Sequence, residues 1–309
     1  MIAFALLSLP IFGVVGLGWA AMRTRLATPG ALDALGAFSF RFALPALVLR
    51  LVADQPLDRS FSPTFYGGYL ASGTLLFAFV FALSLILDGH AVAAAGARAI
   101  TTTVGNLGFL GPPLMLAFFG ERGAGPLAMA ILAEVMVLLS LGGAIMGAYH
   151  GGDASVVSLV LHGTVLNPLV AAIVLGAALT ATGVRLPVPL DRFLSFLGGS
   201  AGPAALFALG GALAARRIDR ATAFAATAIT AAKLIVYPAV VWCVLGRLLH
   251  VAPFWVQAGV VTASLPSAGS NYVLAQHYAA DAERVSAAIV LSTVVSVVTV
   301  PIVAWLVLR

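Results

Sequence analysis

The chain has 309 residues, 61% of them hydrophobic and only 9% charged, with a formal net charge of +5. Soluble domains carry about 25% charged residues, so the composition excludes a water-soluble globular protein. Arginines scattered over short loops argue against a nucleic-acid-binding face. The single cysteine, Cys243, excludes a disulfide or a cysteine metal site within one chain.

Long apolar runs separated by charged, turn-rich gaps predict ten membrane-spanning helices. They lie at 3–21, 34–53, 63–87, 99–119, 125–148, 157–181, 193–213, 223–246, 254–279 and 285–308. Spanning strands would instead alternate polar and apolar residues over segments of ~10 residues, which this chain does not do. The first span opens at Met1 without a basic flank and is expected to be a retained helix rather than a cleaved signal. Cys243 falls inside the eighth span.

Orientation follows from loop arginines. Loops after odd-numbered spans hold Arg23, Arg25, Arg98, Arg216, Arg217, Arg220 and Arg284. Loops after even-numbered spans, with the C-terminus, hold Arg59, Arg122, Arg185, Arg192, Arg247 and Arg309. The totals barely differ, but both dense clusters, Arg23/Arg25 and Arg216/Arg217/Arg220, are on the odd side. The odd loops are therefore expected in the cytoplasm and both termini outside.

The two halves echo each other. Residues 10–18 read PIFGVVGLG and residues 168–176 read PLVAAIVLG, an offset of 158. Pro45 opens PALVL and Pro203 opens PAALF at the same offset. Five spans per repeat is an odd number, so the second half must insert upside down relative to the first. Such inverted repeats are characteristic of secondary transporters, whose sites lie near the midplane where helices are broken. The expected fold is all-α and polytopic, with one five-helix repeat over 1–150 and a second over 156–309.

The fourth span contains GNLGFLGPPLMLAFF, residues 105–119. Pro112 and Pro113 each remove a backbone donor and clash with a carbonyl one turn back. At offset 158, Pro113 falls on Asn271, within LPSAGSNYVLAQHY, residues 265–278 of the ninth span. Freed backbone groups are costly in hydrocarbon unless buried in protein or facing a wet cavity. Half-helix N-termini carry partial positive charge and attract anions. Crossing breaks near 111–113 and 266–271 would thus build a substrate site from Asn106, Gly111, Pro112, Pro113, Pro266, Ser270 and Asn271. The competing reading is a pair of proline kinks that shape packing alone.

These residues also resemble the auxin efflux carrier family of membrane transporters. In plant members an Asn is followed by Gly five and Pro seven positions later, which Asn106, Gly111 and Pro113 match. The family's ninth helix has a Pro followed about nine residues on by Ala-x-x-Tyr, matched by Pro266 and Ala275–Tyr278. The resemblance runs over the whole chain. It implies ten helices with crossing fourth and ninth helices, broadly the fold of bile acid/sodium symporter-type transporters. It further implies a scaffold of helices 1, 2, 6 and 7, a moving transport domain of helices 3–5 and 8–10, and a homodimer through the scaffold. Bacterial relatives imply small carboxylates such as malonate or malate as substrates. Three departures stand out. Asn271 replaces a second Pro, Gln276–His277 replace a Lys-Glu pair, and the loop between spans five and six is only HGGDAS, residues 150–155. Auxin itself is therefore not the expected substrate.

Intramembrane ionisable residues are functional by default. Glu134 falls roughly ten residues from the outer end of its span and Lys233 roughly eleven from the inner end of its own, so both are ~15 Å deep and within reach of each other. Glu134 is the candidate proton carrier, opposed or held by Lys233. Static ion pairing is the alternative. Arg41 and Arg50 are expected near the interface. His162, His277 and Gln276 are secondary candidates, a lone His near a helix end being more often structural.

The expected function is secondary active transport of small organic anions, by an elevator-type alternating-access mechanism. No cofactor or metal is called for, only a coupling ion, H+ or Na+. A cation/proton antiporter is the nearest alternative, although neither broken stretch holds an acid before Asp281. A non-transporting receptor is a second. An intramembrane enzyme is disfavoured by the lack of paired Asp, Ser/His or His-Glu-x-x-His arrangements within the spans, and no Walker motif is present.

Overall fold

In hydrocarbon the backbone must close its hydrogen bonds internally, and every regular element among the described residues is helical. The computed structural model describes residues 2–54, 61–87, 91–149, 167–215 and 220–309. Arg59, Arg216, Arg217, His162, residues 157–166 of the expected sixth span and the 150–155 loop lie outside them.

In chain order the helices are α1 (Ile2–Arg23), α2 (Pro29–Ala53), α3 (Pro63–Leu87), α4 (Val92–Thr103), α5 (Gly111–Phe119) and α6 (124–149). They continue with α7 (Pro168–Thr182), α8 (Val188–Ala215), α9 (220–248), α10 (Pro253–Ala263), α11 (Gly269–His277) and α12 (Ala282–Val307). Among the described residues, seven helical stretches are long and apolar enough to cross a membrane, and Pro168–Thr182 is a shorter apolar helix.

Local chemistry sets several boundaries. Prolines stand in the first turn of α2, α5, α7 and α10, where the missing N–H would have no helical partner anyway. The Thr28 hydroxyl accepts from the Ala31 N–H and the Asn167 side chain from the Leu169 N–H, capping α2 and α7. Gly183, at φ +68°, closes α7 in the left-handed conformation.

Contacts divide the chain into two units, one of residues 1–62, 107–129 and 166–217, the other of residues 63–106, 130–165 and 218–309. In the first, α1 and α8 cross so closely that a Cβ on Gly18 would overlap the Phe207 carbonyl, and one on Gly210 the Val15 carbonyl. A Cβ on Gly176 of α7 would lie 3.1 Å from the Leu49 carbonyl oxygen of α2. Overpacking of this kind typically costs about 1–3 kcal/mol. Gly18→Ala is therefore expected to lower the melting temperature in detergent, while Gly13→Ala, whose Cβ meets nothing within 4 Å, is expected to leave it unchanged. Equal melting of the two variants would refute the close crossing. Arg50 joins α2 to α8 through Asp191, Nε to Oδ1 at 2.7 Å. Arg41 is exposed.

The second unit packs α3 on α4 and α9 on α12. Its core includes Phe77, Ile100, Leu138, Met146, Ala275 and Ile289. Two of its helices loosen into π turns, α6 at Leu132–Leu139 and α9 at Ala232–Val236 and again at Cys243–Leu248, as α2 of the first unit does at Ser39–Ala43. The first two of these carry Glu134 and Lys233. π turns are rare and concentrate at functional sites.

Candidate functional site

Both expected interruptions are present, with one displaced. α4 ends at Thr103 and α5 starts at Gly111, so the break occupies 104–110. The expected break at 111–113 is corrected: Pro112 and Pro113 start α5 rather than interrupt it. They sit where a helix tolerates proline, and the chain leaves the α-helix before reaching them. In the ninth span the break is 264–268, and Ser270 and Asn271 lie in the first turn of α11.

Within the second unit the two broken stretches pair with each other. Gly105 and Ser267 form an isolated antiparallel bridge. The Asn106 N–H donates to the Pro266 carbonyl at 2.7 Å, and the Ala268 N–H donates to the Val104 carbonyl at 3.1 Å. Two peptides freed from helices thereby satisfy one another. The remaining donors of the bridge are taken by side chains. The Gly105 N–H donates to Glu134 Oε2 at 2.7 Å, and the Ser267 N–H donates to Ser292 Oγ at 3.2 Å. The pattern is reciprocal: each broken stretch gives one N–H to the other and one to a side chain of α6 or α12.

The C-terminus of α4 is closed from α11's side. Ser267 Oγ donates to the Thr101 carbonyl at 2.7 Å, and Asn271 Nδ2 to the Val104 carbonyl at 3.0 Å. Thr101, Thr102 and Thr103 are fully buried and turn their hydroxyls back onto Ala97 and Ala99 carbonyls. Asn271 is itself fully buried, and its Oδ1 has no donor among the described residues. Asn106 is 4% exposed.

Glu134 is fully buried yet well held. Besides the Gly105 N–H, it accepts from the Tyr69 hydroxyl, Oη to Oε1 at 2.7 Å. Tyr69 stacks on Phe65, at a ring-centroid distance of 5.7 Å, and meets the tilted ring of Tyr237 at 5.9 Å. Lys233 is equally buried, and its Nζ lies 4.5 Å from the Tyr237 ring centroid with no hydrogen-bond partner among the described residues. A desolvated ammonium over an aromatic face is held by the ring quadrupole. Glu134 and Lys233 thus share one buried cluster around Tyr69 and Tyr237 without a direct hydrogen bond between them: the acid is held by a tyrosine and a peptide N–H, and the lysine by a ring.

The other expected site residues are placed as follows. Asn106, Pro266 and Asn271 belong to the crossing, and Ser270 stands exposed at the start of α11. Gly111, Pro112 and Pro113 belong to the other unit, where a Cβ on Gly111 would press on Leu127. Gln276 and His277 are exposed at the far end of α11, with His277 edge-on to Tyr278 at 4.7 Å. Tyr69, Gly105, Tyr237, Ser267 and Ser292 were not singled out from the sequence. Ser292 was within reach, because it lies 158 residues beyond Glu134.

A family model described as "Membrane transport protein" matches residues 5–304. The chain belongs to that family. This is the auxin efflux carrier family that its motifs resemble. Over 298 residues it is 34% identical to the "Putative malonate transporter" of Rhizobium meliloti, covering 95% of this chain and 92% of that one. It is 24% identical over 301 residues to the "Uncharacterized transporter YfdV" of Escherichia coli, covering 95% and 94%. Over 224 residues it is 27% identical to the "Uncharacterized transporter MJ1031" of Methanocaldococcus jannaschii, covering 69% of each chain. Family membership and the apolar helices together make this an integral membrane protein of transmembrane transport.

Proposed function

We propose that the protein is a secondary active transporter of small carboxylates, with substrate held at the crossing of the two broken stretches and proton movement coupled through Glu134. The single observation that carries this reading is the Glu134–Gly105 hydrogen bond, which ties the buried acid directly to a peptide of the crossing. An organic anion entering a negatively polarised cell works against ~2.3 kcal/mol per charge per 100 mV. Co-entry of a proton offsets that cost. A relative named as a malonate transporter favours a dicarboxylate.

Two observations support an inverted repeat of five helices in each half. Gly18 packs on the Phe207 carbonyl and Gly176 on the Leu49 carbonyl, and both members of these pairs differ by 158 residues. Glu134 and Ser292, also 158 apart, each accept an N–H from a broken stretch. A scaffold and a transport domain moving as an elevator are favoured by the grouping of α1, α2, α7 and α8 in one unit and of α3, α4, α9, α10, α11 and α12 in the other, although α5 and the first turns of α6, through Met129, group with the first unit rather than with the expected transport domain. Both termini lie outside the cytoplasm in this proposal.

The test is thermal stability of the purified protein against malonate, malate and monocarboxylates, at several pH values, with and without sodium. A bound substrate stabilises by about 2.7 kcal/mol at one hundred times its dissociation constant. Dicarboxylates are expected to raise the melting temperature, more so at acid pH and independently of sodium. A protein that no carboxylate stabilises, and that moves none into vesicles, would overturn the transport reading in favour of a receptor.

A further inference from the structure

Apart from the crossing, the second unit holds a cavity of about 410 Å³ between α3, α4, α9 and α12. Specific small-molecule sites commonly occupy roughly 300–1,000 Å³. One wall is the α3 stripe Leu76, Phe79, Val80, Leu83, Ser84 and Leu87. These residues rise about 16 Å along the helix, which matches one leaflet of a hydrocarbon core about 30 Å thick. Phe79, Leu87 and Phe224 of this lining are 62%, 70% and 84% exposed, so the groove opens towards the apolar phase rather than into the protein.

Its other end is cationic. Arg98 and Arg284 line it, and no acid does so among the described lining residues. Arg98 is buried, and its Nε contacts Asp281 Oδ2 at 2.7 Å. Arg284 Nη1 reaches the same oxygen at 3.4 Å. Two guanidinium charges thus converge on one carboxylate oxygen, fixing both arginines at the end of the groove. Asp281 and Arg284 stand at the start of α12, the cytoplasmic side on the topology expected from loop arginines, and Arg98 reaches them from the middle of α4. A long apolar wall capped by fixed guanidiniums has the chemistry of an anionic amphiphile, and basic pockets between membrane helices on the cytoplasmic side take anionic headgroups. Guanidinium pairs recognise phosphate in particular.

We propose that this groove binds an anionic phospholipid, its phosphate at Arg98 and Arg284 and one acyl chain along α3. The site is separate from the crossing and stands whether or not the transport reading does. The test is native mass spectrometry of the purified full-length protein, delipidated and supplied with dioleoyl phosphatidylglycerol or dioleoyl phosphatidylcholine. Phosphatidylglycerol is expected to be retained about tenfold better, and Arg284→Gln is expected to lower that preference about fivefold. Ala228→Trp, which fills the groove from its exposed side, is expected to abolish retention of the bound lipid. Glycerol phosphate, a headgroup without chains, is expected to displace nothing. Equal retention of the two lipids overturns the proposal. So does an unchanged preference in both variants that elute as monodisperse protein, and so does displacement by glycerol phosphate, which would mark a site for the anion alone.

Discussion

Glu134→Gln is expected to abolish substrate accumulation driven by a pH gradient while leaving substrate exchange across the vesicle membrane intact. Each coupled proton contributes about tenfold in accumulation ratio per pH unit, so the loss should be visible as a collapse to equilibration. Gln mimics the protonated acid and keeps one carbonyl oxygen. Two donors face this side chain, the Tyr69 hydroxyl and the Gly105 N–H. The tyrosine can turn to accept from the new amide, because a hydroxyl both donates and accepts. Gly105, whose N–H cannot turn, keeps the oxygen, so the crossing survives the substitution. Glu134→Leu is expected to differ: it strands the Gly105 N–H and should lower the melting temperature as well as transport. Continued accumulation by Glu134→Gln under a proton gradient would remove Glu134 as the carrier. Sodium held by backbone carbonyls at the breaks then becomes the better account.

The broken helices were legible because proline and glycine punctuate a membrane helix for reasons that do not depend on its neighbours. What the sequence misplaced was the break relative to Pro112 and Pro113. A proline ends the helix before it and starts the one after it, and only the backbone shows that the chain departs at Val104, seven residues ahead of Gly111. Glu134 and Lys233 were legible by rarity alone, as charges within apolar runs. Their partners were not. A tyrosine such as Tyr69 is unremarkable in an apolar helix, and a peptide N–H such as that of Gly105 leaves no trace in the sequence. The offset of 158 already linked Glu134 to Ser292, but a serine in a membrane helix commonly bonds its own preceding turn. Ser292 does this too, donating to the Ile289 carbonyl at 3.1 Å while its oxygen accepts from Ser267.

The two neighbours Ser270 and Asn271 should separate binding from folding. From the sequence alone, Asn271 was expected to line the substrate site. The geometry gives it a structural task as well. Its Nδ2 donates to the Val104 carbonyl at 3.0 Å and leans towards that of Ile100 at 3.5 Å, so the side chain holds the end of α4 to the start of α11. Asn271→Asp would set a carboxylate oxygen against these carbonyls in a fully buried position. Breaking a buried polar contact and leaving a charge unpaired costs about 3–5 kcal/mol. The variant is therefore expected to melt well below the parent or to fail to fold. Asn271→Ala removes the donor without adding charge and should cost about 1–3 kcal/mol, with substrate affinity falling alongside melting temperature. Ser270 is exposed at the N-terminus of α11, next to the N–H groups that favour an anion. Ser270→Ala is expected to weaken carboxylate binding by about 0.5–1.5 kcal/mol with no change in melting temperature of the ligand-free protein. The measurement is melting temperature with and without malonate for all three variants. An Asn271→Asp protein as stable as the parent would show that the asparagine does not hold the crossing. Unchanged malonate stabilisation in Ser270→Ala would take the start of α11 out of the site.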